Sequence, residues 1–327
     1  MTGLQFTTGL AELDNLIGGV KPSDNLVWAV DSGAPTQFFV SSYLRAATQG
    51  KSRATFVSFN ASPQALLDQL KGSVALNKLI LVDCFTSGKG GNNRVFSRFY
   101  KSAYPKQLAQ VIHLKDPANP YKVRDALDAI TGKDNPPGRY LFDSLTGMAE
   151  LWNDESSVLK FFAYSCPCLY DLKAVAYWFL EKKAHSEKFL ANIKHITQVV
   201  IEVDMELGRN MLAILKSHDR VSPGIGLPRY FSVDKGQFRL ESKAEKTPKY
   251  PGGEKLLKHL SSMIKIERNR LNLSQGELAK RVDLTTSAIS QIESGSCAPS
   301  LGVFLRIMNV LGMRVDSLME PGNILAD

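Results

Sequence analysis

The sequence predicts an α/β domain built on a mainly parallel sheet with helices on both faces, followed by a small all-α domain. Two observations predict it. From Leu4 to about Leu240, short apolar runs rich in valine, isoleucine and aromatic residues alternate with helical patterns, as in sheets covered by crossover helices. Beyond Lys255 the apolar residues recur at helical spacing only. Between the two lies "SKAEKTPKYPGGEK", Ser242 to Lys255, whose lysines, prolines and glycine pair cannot bury enough surface to fold. The division is therefore residues 1–241, a linker at 242–255, and residues 256–327.

In chain order, "NLVWAV", "ATFVSF", "LILVDCF", "RYLFDSL" and "AVAYWFL" read as buried strands. The later runs "TQVVIEVD", "NMLAILK" and "QFRLE" are separated by turn residues and read as antiparallel additions at one edge. After the linker, Leu256, Leu257, Leu260, Met263, Ile264 and Leu271 mark one helix, and the punctuation gives four further short ones. In "SQGE", Ser274 caps a helix while Glu277 reaches back to it, a reciprocal capping box. Leu278, Ala279 and Val282 form its inner face. Thr285 then caps a second helix with a buried stripe of Ala288, Ile289 and Ile292, and Gly295 ends it. Leu301, Leu305, Ile307, Leu311, Val315 and Leu318 are expected to close the core behind this helix-turn-helix.

Composition narrows the function classes. With 44% hydrophobic and 22% charged residues the chain has an ordinary globular balance, and a net charge of +8 favours polyanionic partners. Cys84, Cys166, Cys168 and Cys297 are too few for a disulfide framework, which points to a reducing cytoplasm. "SCPC" lacks a second cysteine pair and reads as two small core residues. No signal peptide is evident, and no apolar run approaches the ~18 residues of a membrane span. The histidines lack metal-ligand spacing and there is no serine-nucleophile elbow. No metal and no cofactor are expected.

"LSQGELA", "TSAISQIESG", "PSLGVFLRIMNVLG" and "VDSLM" stand in the order and spacing of the Cro/lambda-repressor helix-turn-helix, the XRE family, and the segment from Leu260 to Met319 resembles it throughout. The resemblance implies that the helix from Thr285 to Ser294 enters the major groove of double-stranded DNA. Thr286, Ser287 and Gln291 would then face base edges, with Gln291 able to grip adenine at two points, and Ser290 is a further DNA-binding candidate. Gln275 and Thr285, at the two helix starts, would hold phosphates, and Lys280 and Arg281 would supply nonspecific attraction.

"FTTGLAELDNLIGGVKPSDNLVWAV", "ATFVSFNASPQALLDQL" and "RYLFDSLTGMAELW" together resemble the RecA-like ATPases of the KaiC and RadA group over about Thr8 to Gly236. The family's phosphate loop is Gly-x-x-x-x-Gly-Lys-Ser/Thr, in which backbone N–H groups cradle phosphate and the lysine neutralises it. Here that stretch is "DSGAPTQF", Asp31 to Phe38, with one glycine, a proline, an acid and no lysine between Lys21 and Lys51. Gly33, Thr36 and Gln37 are its remnants. Asn60 and Ala61 replace the paired glutamates that activate water in the family, and an amide is no general base. Asp143 matches the magnesium-associated aspartate, with a helix or turn cap in "DSLTG" as its alternative role. Lys216 matches a lysine that reaches a neighbouring subunit's phosphate, but His218 replaces the usual arginine. "SGKGGNNR", Ser87 to Arg94, contains Gly-Lys without the following hydroxyl and reads as a mobile basic loop.

The combined expectation is a cytoplasmic, sequence-specific transcriptional regulator with a catalytically inactive RecA-like domain. Its expected partners are double-stranded DNA, further copies of the chain as a dimer or higher oligomer, and a small-molecule or protein ligand of the RecA-like domain. The alternatives are an active NTPase targeted to DNA by its helix-turn-helix, and a ring-forming scaffold.

Overall fold

The structure, a computed structural model, describes residues 6–49, 53–102, 109–131, 138–206, 208–234, 236–241, 253–299 and 301–313. The chain divides into two compact units, Met1–Ser242 and Lys243–Asp327.

The described strands of the first unit are β1 (Asn25–Val30), β2 (Ala54–Ser58), β3 (Leu79–Asp83), β4 (Gln110–His113), β5 (Arg139–Asp143), β6 (Val175–Glu181), β7 (Val199–Glu206), β8 (Arg209–Ser217), β9 (Arg229–Asp234) and β10 (Gln237–Leu240). They form one sheet in the order β10-β9-β8-β7-β1-β6-β5-β2-β3-β4. From β7 through β4 every pairing is parallel, and β8, β9 and β10 add antiparallel strands beyond β7. The strand in "TQVVIEVD" thus differs from expectation: Leu26–Val30 of β1 pair in parallel with Val199–Val203. A helix between β6 and β7 returns the chain to the starting end of the sheet, which is what parallel pairing needs. Two strands, β4 and β9, have no counterpart in the sequence reading. Both are only partly buried, so neither carries the continuous apolar run of a central strand.

The first unit's helices are α1 (Ala11–Ile17), α2 (Thr36–Ala47), α3 (Pro63–Leu70), α4 (Arg94–Ser97), α5 (Pro120–Ile130), α6 (Leu145–Trp152), α7 (Glu155–Asp171) and α8 (Glu187–Ile196). Because side chains alternate along a strand, β1 sends Leu26, Trp28 and Val30 to one face and Val27 and Ala29 to the other. Leu13, Phe39, Tyr43 and Leu66 from α1, α2 and α3 cover the first face; Leu127, Met148, Phe162 and Ile193 from α5 to α8 cover the second. Trp28 and Trp178 are the largest fully buried side chains, one on each face. Truncating either to alanine removes about 3–5 kcal/mol of packing. The chain leaves β1 through α2 over one face and reaches β7 through α8 over the other. Such a reversal opens a crevice at the carboxyl ends of the strands, where α/β sheets bind ligands.

The second unit contains α9 (Gly253–Arg270), α10 (Gln275–Arg281), α11 (Thr286–Glu293) and α12 (Leu301–Leu311). Ile264, Leu278, Ala279, Val282, Ile289, Ile292, Ile307 and Leu311 form its core. Helix α9 begins at Gly253, inside the stretch read as linker; residues 242–252 lie outside the described ones. Leu305, expected in the core, is 48% exposed, and Leu271, read as part of the first helix, lies beyond its end and is 41% exposed. Leu271 falls in the turn after α9, and Leu305 sits two residues from both Val303 and Ile307, on the opposite side of α12. The expected helix at "VDSLM", with Val315 and Leu318, lies outside the described residues. Among the described residues no helix is long and apolar enough to cross a membrane.

Candidate nucleic-acid interface and the strand-end crevice

Helices α10 and α11 start as their sequences dictate. The Ser274 hydroxyl accepts from the Glu277 N–H at 3.2 Å, while Glu277 accepts from the Ser274 N–H at 2.7 Å. The Thr285 hydroxyl accepts from the Ala288 N–H at 3.1 Å. With Ile289, Ile292 and Glu293 buried, α11 leaves Thr286, Ser287, Ser290 and Gln291 exposed together on its outer side. Their positions i, i+1, i+4 and i+5 form one stripe. Lys280 and Arg281 are exposed in the last turn of α10. Gln275 differs from its companions: its amide nitrogen donates to Glu293 at 2.8 Å, so only the remainder of that group is open to a ligand. The Thr285 hydroxyl is likewise committed to its cap, so an anion would meet only those helix-start N–H groups that the caps do not take.

A buried ion pair fixes how α11 is presented. Arg268, near the end of α9, donates to Glu293 through Nε at 2.5 Å and Nη2 at 3.0 Å, and through Nη1 to the Leu273 carbonyl at 2.7 Å. Both side chains are buried. Burial pushes the Glu293 carboxyl up, but the Arg268 guanidinium and the Gln275 amide outweigh it and hold the group below its usual range. The sequence reading missed this pair, although Glu293 falls on the inner side of α11 with Ile289 and Ile292, where an acid needs a partner.

In the first unit, the loop after β1 folds on itself. The Asp31 N–H donates to Val203 O at 2.9 Å, Ala34 N–H to Asp31 O at 3.1 Å, Thr36 N–H to Ala34 O at 2.7 Å and Phe38 N–H to Pro35 O at 3.0 Å. The Ala34 and Thr36 N–H groups are thereby engaged within the loop itself, whereas a phosphate cradle needs its donors pointing outward. The Gln37 amide donates to Ser41 along α2 at 3.3 Å. Gly33 has φ +89°, and a Cβ there would meet Met205 Sδ at 3.0 Å, so a neighbouring strand crowds the turn.

A cation does reach this loop, from a different strand. Lys182, just past β6, contacts Asp204, Glu202 at 3.3 Å and Asp31 at 3.8 Å, and Lys183 adds a contact to Asp31 at 3.3 Å. Burial pushes the Asp31 carboxyl up, but the Met205 N–H and the two lysines more than offset this and hold it below its usual range. For Lys182, burial lowers the ammonium and the three carboxylates outweigh it, raising it above its ordinary value. Three acids around two lysines leave no positive surplus. Each unit of negative charge brought within ~4 Å of an uncompensated carboxylate costs about 4 kcal/mol at an effective dielectric of ~20.

At the next pair of strand ends, Asn60 donates its amide to Asp143 at 3.1 Å and to the Ser144 hydroxyl at 3.0 Å, and accepts from Lys89 at 2.6 Å. Lys89 also pairs with Glu150 at 2.5 Å. A Cβ on Gly147 would come within 2.4 Å of Asn60 Oδ1, so a hydrogen is all that fits at that turn of α6. Burial raises the Asp143 carboxyl above its usual range, with Asn60 and Lys89 offsetting part of the effect. Asp143 is not the cap in "DSLTG"; Ser144 is, accepting from the Gly147 N–H at 3.0 Å. The segment read as a mobile basic loop is instead a hydrogen-bonded turn. Asp83 accepts from the Phe85 and Thr86 N–H groups at 3.0 and 2.9 Å, the Gly90 N–H donates to Phe85 O at 2.8 Å, and its lysine is engaged at the crevice.

Lys216 stands apart from this group. It pairs across the sheet with Val200, at the starting end of β7, and donates to the carbonyls of Lys194 and His195 at 3.1 and 2.7 Å. It therefore closes the end of α8. Burial lowers its ammonium below the ordinary lysine range. Gly33, Thr36, Gln37, Asn60 and Asp143 do gather at the carboxyl edge of the sheet, joined by Lys89, Lys182, Lys183, Glu202 and Asp204, which the sequence reading did not assign there.

Comparisons with known proteins agree with both halves. Residues 264–318 match the helix-turn-helix family HTH_3. No curated protein sequence matches the chain. Among solved structures, an uncharacterized Pyrococcus horikoshii protein in complex with an unknown peptide is similar with a TM-score of 0.53 at 16% identity, over 72% of this chain and 99% of that one. A KaiC-like protein from the same archaeon covers 73% of this chain and 99% of its own at 12% identity, TM-score 0.49. A flagellar accessory protein of Methanocaldococcus jannaschii covers 71% and 95% at 15% identity, TM-score 0.44. Residues 264–318 of the C-terminal unit form a helix-turn-helix domain of the XRE type, and the N-terminal unit shares the mostly parallel α/β fold of the uncharacterized Pyrococcus horikoshii protein.

Proposed function

We propose that this protein is a sequence-specific, DNA-binding transcriptional regulator, and that its RecA-like unit serves sensing or assembly without hydrolysing nucleotide. The observation that carries the reading is the exposed stripe Thr286, Ser287, Ser290 and Gln291 on a capped helix held by the Arg268–Glu293 pair. A short polar stripe of this kind, flanked by Lys280 and Arg281, matches what reading base edges in the major groove requires. Association of copies would place two readers on one duplex, with half-sites about one helical turn, ~34 Å, apart. Against hydrolysis stand the self-bonded loop after β1, the three carboxylates around Lys182, and an amide at Asn60 where a general base is needed. The setting is the cytoplasm, where four unpaired cysteines are stable.

The test is selection of bound duplexes from a random pool by the full chain. A recurring motif is expected, with affinity that falls as salt rises and falls again in Gln291→Ala. A pool that emerges without enrichment rejects sequence-specific reading.

A further inference from the structure

The groove between α5 and α7 belongs to neither surface described above. Tyr121 and Arg124 of α5 face Lys160, Phe161 and Tyr164 of α7 around a cavity of 290 Å³. That is close to the lower limit of small-ligand pockets, roughly 300 Å³. The Arg124 guanidinium carbon lies 5.1 Å from the Tyr121 ring centre and 4.9 Å from that of Tyr164, so the planar cation is held by two rings. The nearest carboxylate oxygen, on Asp125, is 4.0 Å from Nη2, beyond hydrogen-bond reach. The guanidinium edge is thereby oriented without being gripped as a fork. Tyr121 is 64% exposed and Tyr164 43%, an uncommon placement for two large rings flanking one cation. Lys160 places a second positive charge in the same groove.

We propose that this groove binds a nucleoside monophosphate. The base stacks on the open face of a tyrosine, as bases do on exposed aromatic platforms. The phosphate takes the paired N–H groups of Arg124 and the ammonium of Lys160. Asp125 and Asp128 lie on the α5 side, Asp125 near Arg124 and Asp128 in the field of Tyr164, and Asp154 at the start of α7 lies in the field of Lys160. Their charge disfavours a triphosphate or a polyphosphate backbone and leaves a single phosphate as the match for two cations. The site is separate from the strand-end crevice and from α11, so it stands or falls independently of the DNA-reading proposal.

The experiment is calorimetry on the full chain without DNA, titrating adenosine monophosphate, inorganic phosphate and adenosine in turn. The nucleotide is expected to bind saturably and about tenfold more tightly than phosphate or adenosine alone, since both contacts are then made together. Arg124→Ala and Arg124→Lys should each weaken it about tenfold, the latter because lysine keeps the charge and loses the fork. Tyr121→Leu should weaken it about fivefold or more, with melting temperature unchanged. Asp143→Ala should leave it intact. The proposal is overturned by absence of heat up to about 10 mM nucleotide, about ten times the concentration that half-fills a site with a Kd of ~1 mM. It is also overturned by affinity that survives Arg124→Ala and Tyr121→Leu, by phosphate binding as tightly as the nucleotide, or by binding lost in Asp143→Ala.

Discussion

The outer side of α11 and the carboxyl edge of the sheet are both lined with polar side chains, and they differ in what those side chains hold. On α11 the hydroxyls and amide of Thr286, Ser287, Ser290 and Gln291 are exposed, while the charges that set the helix in place, Arg268 and Glu293, are buried behind it. At the sheet edge Asp31, Lys182, Glu202 and Asp204 bind one another, as do Asn60, Asp143 and Lys89. One surface keeps its charges as scaffolding and offers its neutral groups to a ligand. The other uses charge to satisfy itself. A polar patch therefore signals binding only when its partners lie outside the fold.

That contrast breaks most visibly at Arg268. Arg268→Ala leaves Glu293 buried without its cation and should destabilise the C-terminal unit by about 3–5 kcal/mol, with DNA binding lost alongside. Circular dichroism in urea checks this, and tryptophan emission, which reports only on Trp28, Trp152 and Trp178 in the first unit, should stay unchanged. The pair also sets a pH dependence. Because the folded Glu293 carboxyl lies below its ordinary value of 4.5, its stabilisation is complete above that value and is lost as pH falls through the folded value. Glu293→Gln should flatten that acid limb of the melting curve.

Next in size is Lys182→Met, which leaves Asp31, Glu202 and Asp204 facing one another. A loss of about 2–3 kcal/mol is expected from the first unit in urea denaturation. A loss below about 0.5 kcal/mol would mean that the edge is a solvated charge cluster. Gln291→Ala should weaken the selected duplex by about 1–3 kcal/mol and relax preference at one base pair, measured by competition binding. The smallest effect is a gain. A Cβ on Gly276 would meet Thr286 Oγ1 at 3.7 Å and Ser274 Oγ at 4.0 Å, ordinary contacts, so Gly276→Ala should stabilise α10 by about 0.5–1 kcal/mol. A decrease in melting temperature would show that glycine is needed there for another reason.

The helix-turn-helix was legible because its signals are local. Ser274 and Glu277 are three residues apart, Thr285 sits just before its helix, and a heptad-length window reveals the buried stripe. The central strands were legible for the same reason, each being a single apolar run. The direction of β7 was not, since pairing with β1 depends on where the chain returns after α8, and that is not written in the run itself. Nor was the ion network. Asp31, Lys182, Glu202 and Asp204 follow or lie on three different strands, and only the β7-β1-β6 order makes them neighbours. Lys89 was discounted because its flanking residues lack a phosphate-loop pattern, although its loop is turned by Asp83 so that the ammonium meets Asn60. Lys216 shows the reverse error, a residue matched by position whose side chain closes a helix instead.

The most direct test of the division between a reading surface and a self-satisfied edge is phosphate release from Mg-ATP by the purified full chain, with and without its selected duplex. No release above a protein-free control is predicted in either case. Steady release that disappears in Asp143→Ala would contradict it.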